Sequence, residues 1–330
     1  MKRGLTALFL IVFSCVLCGN VRVGAKEGKA ECVMELSSRR ILYEANGDTR
    51  LPMASTTKIV TAAAVLTLCN ELQEEVTIPV EAEGVEGSSV YLKRDEKYTV
   101  EELLYGLMLR SGNDCATALA LHCAGDVKLF SAKMNEIAQK AGALNSNFQN
   151  PHGLPASGHY TTAHDLTAIS CWAMQNPVFK KIVATKYYEP RKWQNKNKML
   201  SCFDGGIGIK TGYTKEAGRC LVSAAERDGM TLVCTLLNCP TTYERTSNLF
   251  EDAFSSYRME KLISKDETFR VGEEKGISHE EYSYPLLDGE KEALEYCVTP
   301  QQSEIDKEII GVLEISLAKR LLFSTNLYKL

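Results

Sequence analysis

The sequence predicts an α+β fold, with one antiparallel sheet carrying a helical cluster and a small all-β domain at the C-terminal end. Three observations predict it. Strand-like runs lie at both ends of the first 260 residues, the stretch between them has helical periodicity, and beyond Glu260 the texture turns charge-rich with alternating apolar positions. Strands drawn from both ends of a segment close most economically into one sheet with the helices packed on it.

The chain begins with Lys2 and Arg3, an apolar run from Leu5 to Cys18 and a small-residue close at Val23-Gly24-Ala25. That is the pattern of a secretory signal peptide, too short to span a bilayer, with cleavage expected after Ala25. An exported, extracytoplasmic protein of the cell envelope or medium is therefore expected. Its removal takes Lys2, Arg3 and Arg22 and no acidic residue, so the mature chain is more negative than the −4 of the 330-residue whole. An acidic chain without a basic patch argues against nucleic acid as a partner.

Ala30 to Leu36 and Arg40 to Glu44 read as a strand pair ended by the Asn46-Gly47-Asp48 turn. Ser55 to Leu68 is rich in Ala, Val and Leu on nearly all sides and reads as a buried helix. Thr99 and Glu102 form a capping box that opens a helix to about Leu109, and Asp114 to Ala124 is a third, closed by Gly125. Phe130 to Ala141 and His164 to Met174 add two more helices. Gly208–Thr211, Cys220–Glu226 and Met230–Asn238 read as strands, the last two joined at Arg227-Asp228-Gly229, before a helix from about Tyr243 to Tyr257. Phe269–Val271, Ile309–Leu317 and Arg320–Leu327 supply the strands of the last domain. The expected divisions are a signal peptide at 1–25, a catalytic domain at 26–260 and a β domain at 261–330.

Of twelve cysteines, two leave with the signal peptide, and the other ten mostly sit singly in apolar segments without CxxC spacing. They read as buried free thiols acting as small hydrophobes, not as a zinc site.

Ser55-Thr56-Thr57-Lys58 opens the buried helix, and a spacing of three brings hydroxyl and amine to one face. A serine nucleophile needs such a base beside it. Ser111-Gly112-Asn113 lies between two helices, and Lys210-Thr211-Gly212 ends a strand. Each is weak alone, but in this order and setting they form the S-x-x-K, S-x-N, K-T-G set of penicillin-interacting serine enzymes. Together with Asn150-Pro151-His152-Gly153-Leu154, Gly158 to Leu166 and the segment Gly205 to Leu221, the chain resembles the low-molecular-mass penicillin-binding proteins of the D-alanyl-D-alanine carboxypeptidase type. The resemblance covers about residues 28–260 and implies a β-lactamase/transpeptidase-like sheet and helical cluster.

The resemblance implies Ser55 as acylated nucleophile, Lys58 as general base and Ser111 as proton relay. Asn113 would hold the substrate amide and Lys210 supply positive charge. Lys210, Thr211 and Gly212 would line an edge strand for the peptide, and the backbone N–H groups of Ser55 and Tyr213 would form the oxyanion hole. Arg245 matches a position that holds the terminal carboxylate in several members. The implied substrate is a peptidoglycan stem peptide ending in D-Ala-D-Ala, with β-lactams as covalent inhibitors and no metal or organic cofactor. Some members have His at the place of Tyr213, and many end in an amphipathic helix where this chain reads as strands, which leaves membrane association open.

Other chemistries find no support. GxSxG and HExxH are absent, and Gly206-Ile207-Gly208 lacks the third glycine of a dinucleotide fingerprint. A class A β-lactamase needs a Glu placed before Leu-Asn, but Leu144-Asn145 follows Gly142-Ala143. A penicillin-binding receptor or scaffold without turnover is the non-enzymatic alternative.

Overall fold

The computed structural model describes residues 28–301 and 308–330; the signal-peptide reading falls outside them. Strands β1 (Ala30–Glu35) and β2 (Ile41–Ala45) form the first hairpin, and a 3-10 turn at Ala54–Thr57 leads into α1 (Lys58–Leu68). A small hairpin of β3 (Glu75–Thr77) and β4 (Lys97–Thr99) precedes α2 (Val100–Tyr105), which ends in a π turn at Gly106–Arg110. Thr99 and Glu102 make both bonds of the capping box, and Gly125 stops α3 (Asn113–Ala124) at a φ of +71°. Then come α4 (Val127–Lys140), α5 (Ala163–Met174) and α6 (Pro177–Ala184). A two-residue pair, β5 (Tyr187–Tyr188) with β6 (Trp193–Gln194), and the short α7 (Met199–Cys202) lead back to the sheet. The sheet is completed by β7 (Gly206–Thr214), β8 (Gly218–Arg227) and β9 (Met230–Leu237), followed by α8 (Thr242–Ser256).

The five strands run antiparallel in the order β2-β1-β9-β8-β7, so the two chain ends meet where β1 pairs with β9. Side chains alternate between two cores. Cys32, Met34, Val222 and Val233 face the helical cluster, while Val33, Leu221, Leu232 and Leu236 face α8. Because both faces are covered, β9 reads as a nearly continuous apolar run with no polar side. Helix α1 is enclosed by the cluster, and every residue from Lys58 to Val65 is buried. Burying each Val or Ile there is worth about 1.5–3 kcal/mol.

Beyond α8 the chain is all β. Strand β10 (Tyr257–Ile263) pairs with β13 (Tyr282–Leu287). The strands β11 (Glu267–Val271), β12 (Glu274–Ser278), β14 (Leu294–Pro300), β15 (Ile309–Leu317) and β16 (Arg320–Lys329) form a second sheet, ordered β11-β12-β16-β15-β14. Leu262, Ile263, Tyr284, Leu286, Leu313, Ile315 and Leu327 make a third core of their own. Arg40 ties the hairpin β1-β2 to this region, pairing with Glu290 at 2.7 Å and lying over the rings of Tyr257 and Tyr284.

Candidate active site

Ser55 sits in the 3-10 turn, not in the α-helix proper, and the preceding Ala54 has a φ of +50°. A non-glycine residue held in the left-handed region carries strain, which the surroundings must enforce. Gly153, at φ +89°, packs against this turn so closely that a Cβ there would collide with the Ala54 carbonyl. Thr57 Oγ1 donates to the Ala54 carbonyl at 2.8 Å and lies 3.0 Å from His159 Nε2. His159 Nδ1 accepts from the Gln149 N–H at 2.9 Å, which places the ring proton on Nε2, facing Thr57. Burial pushes the His159 pKa down to about 4, so the ring is neutral and the chain of bonds keeps one sense.

Lys58 is fully buried one turn along. Its Nζ lies 3.0 Å from Ser55 Oγ, 2.6 Å from Asn113 Oδ1 and 2.7 Å from the His152 carbonyl oxygen. Burial first, and the charge of Lys210 second, hold its pKa well below the usual lysine range. A neutral amine has two N–H bonds and one lone pair. The Asn113 and His152 oxygens can only accept, so they take the two N–H bonds and leave the lone pair to the Ser55 hydroxyl. That is the arrangement of a general base beside its nucleophile.

Asn113 begins α3 and is itself fixed from the other side. Its N–H donates to the Ser88 carbonyl at 2.7 Å, and its Nδ2 donates to the Glu86 carbonyl. Gly87 (φ +93°) lets this loop close over the amide, since a Cβ would come within 2.7 Å of Asn113 Nδ2. The buried Asp114 carboxylate accepts from the N–H groups of Val90 and Leu92 and from Ser89 Oγ, pinning the rest of the loop. Ser111 is buried in a left-handed conformation at φ +66°, between the π turn and α3. Among the described residues it makes no hydrogen bond to Ser55 or Lys58.

Lys210, Thr211 and Gly212 lie inside β7, not at its end, because the strand continues through Tyr213 to Thr214. β7 is the outermost strand of its sheet, so its free edge can pair with an extended peptide. Gly212 brings that edge against the nucleophile turn, where a Cβ would meet the Met53 carbonyl at 3.0 Å and the Ser55 nitrogen at 3.2 Å. Lys210 Nζ donates to the Thr211 carbonyl at 2.9 Å. Burial, with a contribution from Lys196, lowers the Lys210 pKa to about 7. Tyr213 is exposed.

Arg245 corrects the sequence-based expectation. It lies on α8, across the sheet from Ser55, and is 2% exposed. Its Nη2 donates to Glu31 Oε2 at 2.7 Å and to Tyr43 Oη at 2.9 Å, and its Nε reaches the same carboxylate at 3.2 Å. A guanidinium already matched to a buried carboxylate has a structural role and is not offered to a ligand.

Sequence reasoning passed over the His152 carbonyl, Gly87, Asp114 and Lys196. Backbone acceptors and loop glycines carry no motif of their own. Asp114 had a visible signal, as a carboxylate in the first turn of a helix. Lys196, whose charge bears on Lys58 and Lys210, had none.

The family model for D-alanyl-D-alanine carboxypeptidases of the S11 peptidases matches residues 21–241. The chain is 30% identical over 258 residues to the D-alanyl-D-alanine carboxypeptidase DacF of Bacillus subtilis (strain 168), covering 74% of this chain and 66% of that one. It is 38% identical over 230 residues to the D-alanyl-D-alanine carboxypeptidase of Streptomyces sp. (strain K15), covering 63% of this chain and 79% of that one. Its fold superposes on penicillin binding protein 5 from Haemophilus influenzae with a TM-score of 0.79 at 24% identity, over 93% of this chain and 97% of that one. Motif order, fold and sequence similarity agree, and the chain belongs to the S11 family of D-alanyl-D-alanine carboxypeptidases, which are serine peptidases.

Proposed function

We propose that this protein removes the terminal D-alanine from peptidoglycan stem pentapeptides through an acyl-enzyme on Ser55, outside the cytoplasm, and that penicillins acylate the same serine. The observation that carries this reading is the environment of Lys58 Nζ, with two acceptor oxygens satisfied and the lone pair left to Ser55 Oγ.

The peptide aligns along the free edge of β7 with its terminal carboxylate near the Lys210 cation. Ser55 Oγ attacks the carbonyl of the penultimate D-alanine as its proton passes to Lys58 Nζ. The backbone N–H groups of Ser55 and Tyr213 receive the oxyanion; a preorganised donor of this kind is worth about 3 kcal/mol. The carbon–nitrogen bond breaks as the proton reaches the leaving amine, with Ser111 as relay. Asn113 fixes the substrate amide, and water then hydrolyses the ester on Ser55. Thr211 and Gly212 hold the strand edge in register with the nucleophile. Among the described residues no helix is long and apolar enough to cross a membrane.

D-alanine release from diacetyl-Lys-D-Ala-D-Ala tests this reading. Steady release that stops in Ser55→Ala supports it. Rapid β-lactam hydrolysis without D-alanine release would indicate a β-lactamase, and stable acylation without release would indicate a receptor.

A further inference from the structure

Six of the ten described cysteines, Cys32, Cys115, Cys171, Cys220, Cys234 and Cys239, are buried as the sequence predicts. Cys202 and Cys297 are exposed. Cys69 and Cys123 depart from the expectation of buried, solitary thiols. Both are half-buried, and their sulfurs lie 2.7 Å apart. Cys69 follows the last residue of α1, and Cys123 is in the last turn of α3. The opposite ends of the same two helices carry Lys58 and Asn113. A sulfur–sulfur bond is about 2.05 Å long, so little movement separates this contact from a covalent link. Partial exposure leaves both thiols within reach of a small disulfide.

We propose that Cys69 and Cys123 form an intramolecular disulfide that braces the tails of the two helices bearing the catalytic amine and its amide partner. The oxidant is a small disulfide such as oxidised glutathione. The Cys69 thiolate attacks one of its sulfurs and expels the first glutathione thiolate. The Cys123 thiolate then attacks the Cys69 sulfur of the mixed disulfide and expels the second. Two cysteine protons end on two glutathione thiols, so electrons and atoms balance. The hydrogen bond between the thiols lowers the Cys69 pKa and raises that of Cys123, which makes Cys69 the first attacker. Helix α1 has 11 residues, about 16 Å of rise, so the link sits far from Ser55 and constrains stability more than chemistry.

The test treats the folded protein with oxidised glutathione, or with a phosphine reductant, followed by maleimide capping in denaturant and peptide mass mapping. The expected result is a cross-linked pair of peptides containing Cys69 and Cys123, with both residues lost to maleimide. The oxidised form should melt roughly 5–15 °C above the reduced form, while its rate of acylation by labelled penicillin stays the same. Cys123→Ala and, separately, Cys69→Ser should abolish both the cross-link and the melting shift. Because the wild-type protein is compared with itself, poor folding of either variant leaves the test intact. A glutathione adduct that persists on Cys69, a cross-link through other cysteines, or two thiols that stay fully maleimide-reactive would each overturn the proposal.

Discussion

Arg245 and Glu31 lie in the interior on the α8 side of the sheet, where an ion pair is held by geometry more than by net energy. Burial alone would raise the Glu31 pKa, but hydrogen bonds from Arg245 and the Gly28 N–H, with the Arg245 charge, bring it below the usual carboxylate range. A depressed acid pKa stabilises the fold above the ordinary value near 4 and loses that contribution as pH falls through the folded value. Removing one partner strands the other, so Arg245→Ala should cost about 3–5 kcal/mol in denaturant unfolding. The double change Arg245→Met with Glu31→Leu should recover much of that loss. The KM of the double variant for the D-Ala-D-Ala peptide should stay near that of wild type; a much raised KM would make Arg245 a carboxylate ligand. The sequence showed a cation at a position that binds substrate in relatives, but the Glu31 that neutralises it is 214 residues away and on another element.

At the level of elements, the Asn150–Leu154 segment and His159 hold the nucleophile turn from outside α1. Gly153→Ala would place a methyl group on the Ala54 carbonyl while also demanding a left-handed backbone. Displacing a catalytic group by about 1 Å can cost 100-fold, so acylation by labelled penicillin should slow by roughly that factor in a variant that still folds. His159 shifts stability with pH in the same direction as Glu31. Its folded pKa of about 4 lies below the unfolded value near 6.5, so the unfolded chain binds the proton first. Stability is complete above pH 6.5 and falls toward pH 4, by up to about 3 kcal/mol for this one ring. A His159→Gln variant should therefore lose less thermal stability between pH 7 and pH 5 than the wild type; an equal loss would exclude His159 as a source. The elements that were legible had strong local signals: the capping box of α2, the apolar run of α1 and the αL glycine after α3. Helix α6 was passed over although Asn176 caps it and Pro177 occupies its first turn, because eight residues hold too few periods to stand out. Strands β10, β12, β13 and β14 were missed because none keeps a clean alternation of buried and exposed positions; β14 has no buried residue, and β13 buries three consecutive residues.

For the molecule as a whole, the antiparallel sheet assembled from both chain ends and the all-β C-terminal region were both visible in the order of strand and helix signals. The proposed division near Glu260 falls inside β10, which pairs with β13, although the cores change over close to it. Tyr257 belongs with the α8 core, whereas the next core begins at Leu262. A chain ending at Glu260 should therefore fold and still be acylated by labelled penicillin; a folded truncation that is never labelled would refute the division. The central claim is that a neutral Lys58 activates Ser55. Arginine stays protonated in a protein and has no lone pair to offer, so Lys58→Arg removes the base. The measurement is the rate of labelled-penicillin acylation of folded Lys58→Arg at pH 7 beside wild type. Acylation should fall by at least about 1,000-fold, given the typical worth of a positioned base. Acylation at a near wild-type rate would contradict the account.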